Sequence, residues 1–226
     1  MRQIAISGLA LLFSSQVLAQ ENLVLTGVEV SGRAGYAYLG SILPLGDSVL
    51  GNGWVQRVWL DHNRYQYQSG NQNIHIQRSG VAYALGYQSG TSHLSYAAYF
   101  GAGYAYSDMD HEDPGFKERG GRVRPHLSGE LGVELPLGWR GDLIASYTFI
   151  KSDYWFRGRF AHSLGKIQIG PEVITQGDPN YSMSKLGMLV SGIPLGKQGS
   201  VMLKAGAVFE DRGTTPYIGV EYVQAF

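Results

Sequence analysis

The sequence predicts an all-β chain closed into an antiparallel transmembrane β-barrel, and three observations predict it. Apolar and polar residues alternate with a period of two over many short stretches. No stretch is long and apolar enough to cross a bilayer as a helix, which takes about 20 residues. The polar face of the alternating stretches carries too many charges for a dry core, at Arg57, Asp61, Arg78, Glu130, Glu134, Arg157, Arg159, Glu172, Lys185, Lys204 and Glu221. A membrane chain without spanning helices must close its sheet, because hydrocarbon offers no partner to an open edge.

The alternation is clearest over Ser200 to Glu210. Val201, Leu203, Ala205, Ala207 and Phe209 fall on one face; Met202, Lys204, Gly206, Val208 and Glu210 fall on the other. Between Arg122 and Leu135, the apolar positions Val123, Leu127, Leu131 and Val133 oppose Arg122, Arg124, His126, Ser128, Glu130 and Glu134. From Tyr154 to Leu164, Tyr154, Phe156 and Phe160 oppose Trp155, Arg157 and Arg159. Clusters of Gly, Asn, Asp, Pro and Ser separate such stretches.

Twelve strands follow, at 23–30, 33–44, 54–67, 74–88, 92–106, 122–136, 140–150, 154–164, 166–176, 182–194, 199–210 and 215–226. An even count suits a bacterial barrel with short periplasmic turns and longer outer loops. Counting back from a periplasmic C-terminus puts the longest connection, Ser107 to Gly121, outside. The connection at 45–53 is long for an inner turn, which leaves ten strands as the alternative. A Lys or Arg on the lipid face at the midplane costs about 2–4 kcal/mol. The listed charges together would exceed the stability of an ordinary domain, about 5–15 kcal/mol, so the charged face must point inward.

The N-terminus reads as a secretory signal peptide: Arg2, an apolar run from Ile4 to Phe13, and a small-residue cleavage site at Val17-Leu18-Ala19. Residues 1–19 are thus a signal peptide and 20–226 a single barrel in the outer membrane of a Gram-negative cell, with outer-membrane lipid as its surroundings. The chain has no cysteine, so no disulfide framework or thiolate metal site is expected. Lys+Arg 18 against Asp+Glu 18 leaves no basic excess to hold a phosphate backbone, which argues against a nucleic-acid partner.

Candidate chemistry is sparse. His126, Ser128 and Glu130 share one strand face, and a His beside a Ser with an orienting carboxylate is the composition of a hydrolase triad. Along a strand, however, residues i and i+2 lie about 6–7 Å apart by rise alone, longer than a hydrogen bond. Asp108, Asp110, His111, Glu112 and Asp113 form an acidic cluster without the spacing of a calcium loop, so no metal and no cofactor is expected. Arg57, Trp155, Arg157, Arg159, Glu172 and Lys185 are expected to form a polar network in the lumen, and Tyr65 and Tyr67 are candidates for stacking on sugar rings.

Several runs carry resemblances. The closing strand ends on Phe226 with Tyr222, Val220 and Ile218 on its face. This resembles the C-terminal signal read by the barrel-assembly machinery. The His-x-Ser pair resembles that of the outer-membrane lipid A deacylases. The run from Tyr154 to Gly187 is similar to cellulose biosynthesis proteins of the BcsS type. The matching residues are Tyr154, Trp155, Arg157 and Arg159, then Gly170, Pro171 and Glu172, the Gly177-Asp178 turn, Tyr181, and Leu186-Gly187. Lys185 stands where that family has Arg, keeping charge but not the bidentate fork. This resemblance implies a non-enzymatic accessory protein of cellulose or exopolysaccharide biosynthesis that supports export or surface anchoring of the glucan. Cellulose and other cellulose-synthesis components are its implied partners. The alternatives are a lipid A deacylase-like hydrolase using His126, Ser128 and Glu130, and a passive small pore or structural barrel.

Overall fold

The computed structural model describes residues 22–69, 72–111, 120–150, 152–178, 181–210 and 213–226; the side chains of residues 67–69 and 181 are not part of that description. The signal segment 1–19 lies outside the described residues. Twelve strands form one closed antiparallel barrel in meander order: β1 (Leu23–Ser31), β2 (Ala34–Pro44), β3 (Gly53–Ser69), β4 (Gln72–Gly90), β5 (Leu94–Met109), β6 (Gly120–Leu135), β7 (Trp139–Thr148), β8 (Asp153–Leu164), β9 (Ile167–Asp178), β10 (Tyr181–Leu195), β11 (Gly199–Glu210) and β12 (Gly213–Ala225). Each expected strand is present, so the ten-strand alternative falls. The seam zips β1 to β12 from Leu23↔Ala225 to Ser31↔Tyr217. Asn22 and Phe226 exchange both backbone hydrogen bonds just beyond it. Closure thereby leaves no edge with unpaired N–H and C=O groups.

The faces are inverted relative to a water-soluble sheet. On β4 the outward Val81, Tyr83 and Leu85 are 45, 47 and 47% exposed, whereas the inward Ile74, Ile76, Ala84 and Gln88 are buried. The outward apolar band runs around the barrel through Leu39, Leu60, Phe100, Leu127, Leu143, Phe160, Val173, Leu186, Leu203 and Val220. An apolar surface this continuous has a favourable home in acyl chains and none in water.

The wall is uneven in height. β3, β4, β5 and β6 have 17, 19, 16 and 16 residues, against 9 for β1 and 10 for β7. A tilted strand crosses the hydrocarbon with about 9–11 residues, so β3–β6 overshoot it. The overshoot is at the rim distal to the two termini. There the outer-face side chains of β3 and β4 turn polar above Leu60 and Val81, at His62, Arg64, Asn73, His75, Gln77 and Ser79.

Glycines on the inner face let aromatic rings lie flat on the wall. The Trp59 ring covers Gly40, its cross-strand partner, where a Cβ would stand 2.3 Å from ring carbon Cε3. Tyr99 covers Gly86 in the same way, at 2.2 Å.

The lumen divides into two levels. Toward the rim bearing the termini, Leu23, Leu25, Ile42, Val55, Ala97, Tyr99, Leu189, Met202, Val223 and Ala225 form one contiguous apolar cluster drawn from opposite walls. Ile42, Val55 and Met202 are 0% exposed. This layer stands beside the inward charges that the alternation expects, with Met202 on the same face of β11 as Lys204. It also explains the long connection at 45–52, which folds inward. Leu50 joins the apolar cluster, and the Gly51 N–H donates to Gln88 Oε1 at 2.7 Å, while Gln88 Nε2 donates to the Tyr99 hydroxyl at 2.7 Å.

Candidate functional site

Above the apolar layer the interior is ionic. The alternation of β8 and β9 turns Arg157, Arg159 and Glu172 into the lumen, and that of β1, β10, β11 and β12 adds Glu29, Lys185, Lys204 and Glu221. Glu172 Oε2 accepts from Arg157 Nε at 2.7 Å and from Arg159 Nε at 2.8 Å. Glu221 accepts from Arg157 Nη2 at 2.8 Å and Arg159 Nη2 at 3.4 Å, and its Oε1 lies 2.9 Å from Lys204 Nζ. Lys204 also reaches Glu29 at 2.8 Å, and Lys185 pairs with Glu29. Four cations and three carboxylates are therefore linked across six strands. A buried carboxylate is tolerated because several cations and hydrogen bonds replace its water shell.

Of the six residues expected to share a network, Arg157, Arg159, Glu172 and Lys185 come together. Arg57 does not join them. It sits over the Tyr99 ring at 4.1 Å, its Nη1 3.3 Å from Glu130 and its Nη2 2.7 Å from Ser128 Oγ. Trp155 is on the same inner face of β8, half-buried, with no hydrogen bond among the described residues. Sequence reasoning placed Lys204 and Glu221 on the charged face but not in the network, and it missed Glu29 altogether. On β1 both faces are apolar, Leu23 and Leu25 against Val24, Val28 and Val30, so alternation cannot say which face Glu29 occupies.

The candidate triad faces inward, but its parts are otherwise engaged. Arg57 clamps Ser128 and Glu130 together, so the carboxylate is aimed at a guanidinium rather than at His126. No hydrogen bond links His126 to Ser128 among the described residues. A further inward set, Arg140 with Asp142 at 2.9 Å and with Glu134, lies toward the terminus-bearing rim.

The other half of the lumen, toward the distal rim, is lined by half-buried aromatics: Tyr36 on β2, Trp59 and Tyr65 on β3, and Trp155 on β8. Trp59 stacks on Tyr38 with centroids 4.7 Å apart, and its Nε1 donates to the Tyr36 hydroxyl at 3.4 Å. The side chain of Tyr67 lies outside the described residues. Arg124 pairs with Asp153 at 3.3 Å near this level.

In the acidic cluster beyond β5, Asp110 Oδ1 accepts from the His75 backbone N–H at 2.9 Å, and His111 Nδ1 lies 3.2 Å from it. That backbone hydrogen bond holds the Asp110 carboxyl below its usual range. Glu112 and Asp113 lie outside the described residues, and no group of three or more metal-binding side chains converges among those described.

Comparison with known proteins decides the family. The family described as cellulose biosynthesis protein BcsS matches residues 23–224, all twelve strands of the barrel. The chain belongs to the BcsS family. That membership ties this BcsS protein to cellulose biosynthesis. Among curated proteins, none matches the sequence. In fold it is similar to solved outer-membrane barrels. The β-domain of the Bordetella autotransporter BrkA superposes with a TM-score of 0.58 at 15% identity, covering 92% of this chain and 100% of that one. The COG4313 outer membrane channel from Pseudomonas putida F1 gives 0.57 at 10% identity, covering 94% and 97%. The transport unit of the autotransporter AIDA-I from Escherichia coli gives 0.54 at 8%, covering 98% and 95%. At these identities the likeness concerns the barrel alone.

Proposed function

We propose that this BcsS protein is a non-enzymatic outer-membrane accessory of cellulose production that holds the glucan at the cell surface rather than conducting it. One observation carries the reading: the two levels of the lumen differ. The level near the termini is filled by an apolar layer in which Ile42, Val55 and Met202 are 0% exposed, with Leu50 of the inward-folded turn packed into it. A water-filled path for a polymer through that level would leave these side chains wet. The level near the distal rim is lined by half-buried aromatics, and the wall there rises above the lipid belt. A receptacle closed at one end suits retention better than passage.

In this reading the rim bearing the termini faces the periplasm. Residues 1–19 direct export and are removed, and the barrel-assembly machinery inserts the chain through its closing strand and Phe226. Outer-membrane lipid covers the apolar band. Cellulose, and through it other cellulose-synthesis components, are the partners. The ionic network of Arg157, Arg159, Glu172, Lys185, Lys204, Glu29 and Glu221 braces the barrel from within.

The test separates synthesis from retention. Cells lacking the gene should make as much cellulose as the parent but release more of it into the medium, and expression of the protein should restore attachment. Unchanged attachment in the deletion strain overturns the proposal.

A further inference from the structure

The upper inner face of β3 and β4 holds a charge pair of opposite sign whose members do not pair with each other. Asp61 lies flat over Gly80, where a Cβ would stand 2.7 Å from its Oδ1. Among the described residues it makes no hydrogen bond and no ion pair, although Arg78, on the neighbouring strand, is within electrostatic reach. Arg78 Nε is buried and likewise has no hydrogen-bond partner among the described residues. Elsewhere on the inner face the charges pair closely, as Arg157 with Glu172 and Arg124 with Asp153 do. A half-buried carboxylate and a guanidinium left open are costly unless something else satisfies them.

Their neighbours indicate what that is. Trp59, Asp61, Asn63 and Tyr65 share the inner face of β3, and Tyr36 stands beside Trp59 on β2. Six residues of strand span about 20 Å, enough for several consecutive sugar rings. The Trp59 ring lies over Gly40 and stacks on Tyr38 with centroids 4.7 Å apart, and Tyr36 and Tyr65 set further half-buried rings on the same lining. An aromatic face suits the C–H face of a pyranose, and a carboxylate accepts hydrogen bonds from hydroxyl pairs that a guanidinium complements as donor. The two charges cancel locally, which disfavours an ionic ligand over a neutral polyhydroxylated one.

We propose that Trp59, Asp61 and Arg78, with Tyr36 and Tyr65 flanking them, form a binding subsite for an unbranched neutral glucan chain in the upper lumen. This rests on the surface-holding reading above and names its site.

The experiment titrates cellohexaose into the full-length processed protein in detergent, by calorimetry and by tryptophan fluorescence. A hexamer of galacturonate serves as the ionic competitor. Asp61→Ala and Trp59→Phe should each weaken cellohexaose binding by about tenfold or more, with heat-modifiable gel migration retained as the sign of a folded barrel. Ser128→Ala should bind as the parent does. The site is overturned if the folded parent binds no cellohexaose, if both variants bind with parental affinity, or if the galacturonate hexamer binds more tightly. In these cases the cellular attachment assay still judges the surface-holding role separately.

Discussion

Arg157 on β8 and Glu221 on β12 meet at 2.8 Å although three strands separate them in the wall. The contact is a chord through the lumen, and it can form only in the closed barrel. Removing one partner of a buried pair strands the other in a site without water, which costs about 3–5 kcal/mol. Glu221→Ala should therefore lower the temperature at which the barrel loses its folded migration on detergent gels. The Arg157→Leu/Glu221→Leu double variant should recover part of the loss, since it leaves fewer charges unpaired. Unchanged thermal behaviour of Glu221→Ala would show that the network bears no load.

Leu50 tests the inward-folded turn. Leu→Ala at a buried site costs about 2–5 kcal/mol, so Leu50→Ala should destabilise the barrel although the residue belongs to a connection rather than a strand. A shift no larger than that of an exposed-turn substitution such as Asp47→Ala would place Leu50 outside the apolar cluster.

The same layer predicts electrical silence. In planar bilayers the protein should show no steady conductance across a range of voltages if the apolar cluster that includes Leu23, Ile42, Met202 and Ala225 closes the lumen at its level, as the proposed receptacle requires. A reproducible open-channel current would contradict it.

Gly86 probes the flat-ring packing. An added Cβ would stand 2.2 Å from Tyr99 Cδ1 and 2.9 Å from the Ala98 carbonyl oxygen, so both ring and backbone must give. Gly86→Ala should cost about 1–3 kcal/mol and release Tyr99 from Arg57 and Gln88. Its thermal midpoint should fall more than that of Gly129→Ala, whose added Cβ meets nothing nearer than the Ala97 carbonyl at 3.8 Å.

For the enzymatic alternative, Ser128→Ala should leave the mass spectrum of lipid A unchanged, since Ser128 Oγ is bound by Arg57 and no His126 contact activates it. A mass difference dependent on Ser128 would restore the hydrolase reading.

The strand inventory, the barrel class and the inward direction of Arg157, Arg159, Glu172 and Lys185 were legible in the sequence. Each follows from a local rule: successive side chains point to opposite faces, and the lipid face rejects charge. Those rules act within a strand and need no knowledge of its neighbours. Which inward charges meet is different. Glu29, 156 residues from Lys185, pairs with it only because closure brings β1 round to β12 and so near β10. Arg57 is drawn to Ser128 and Glu130 on β6 rather than to the cluster it resembles in composition. The apolar floor was equally hidden, because an inward Leu and an outward Leu read alike in a chain whose outside is also apolar. Register, closure and the inward fold of residues 45–52 decide these contacts, and they depend on pairings far apart in the chain.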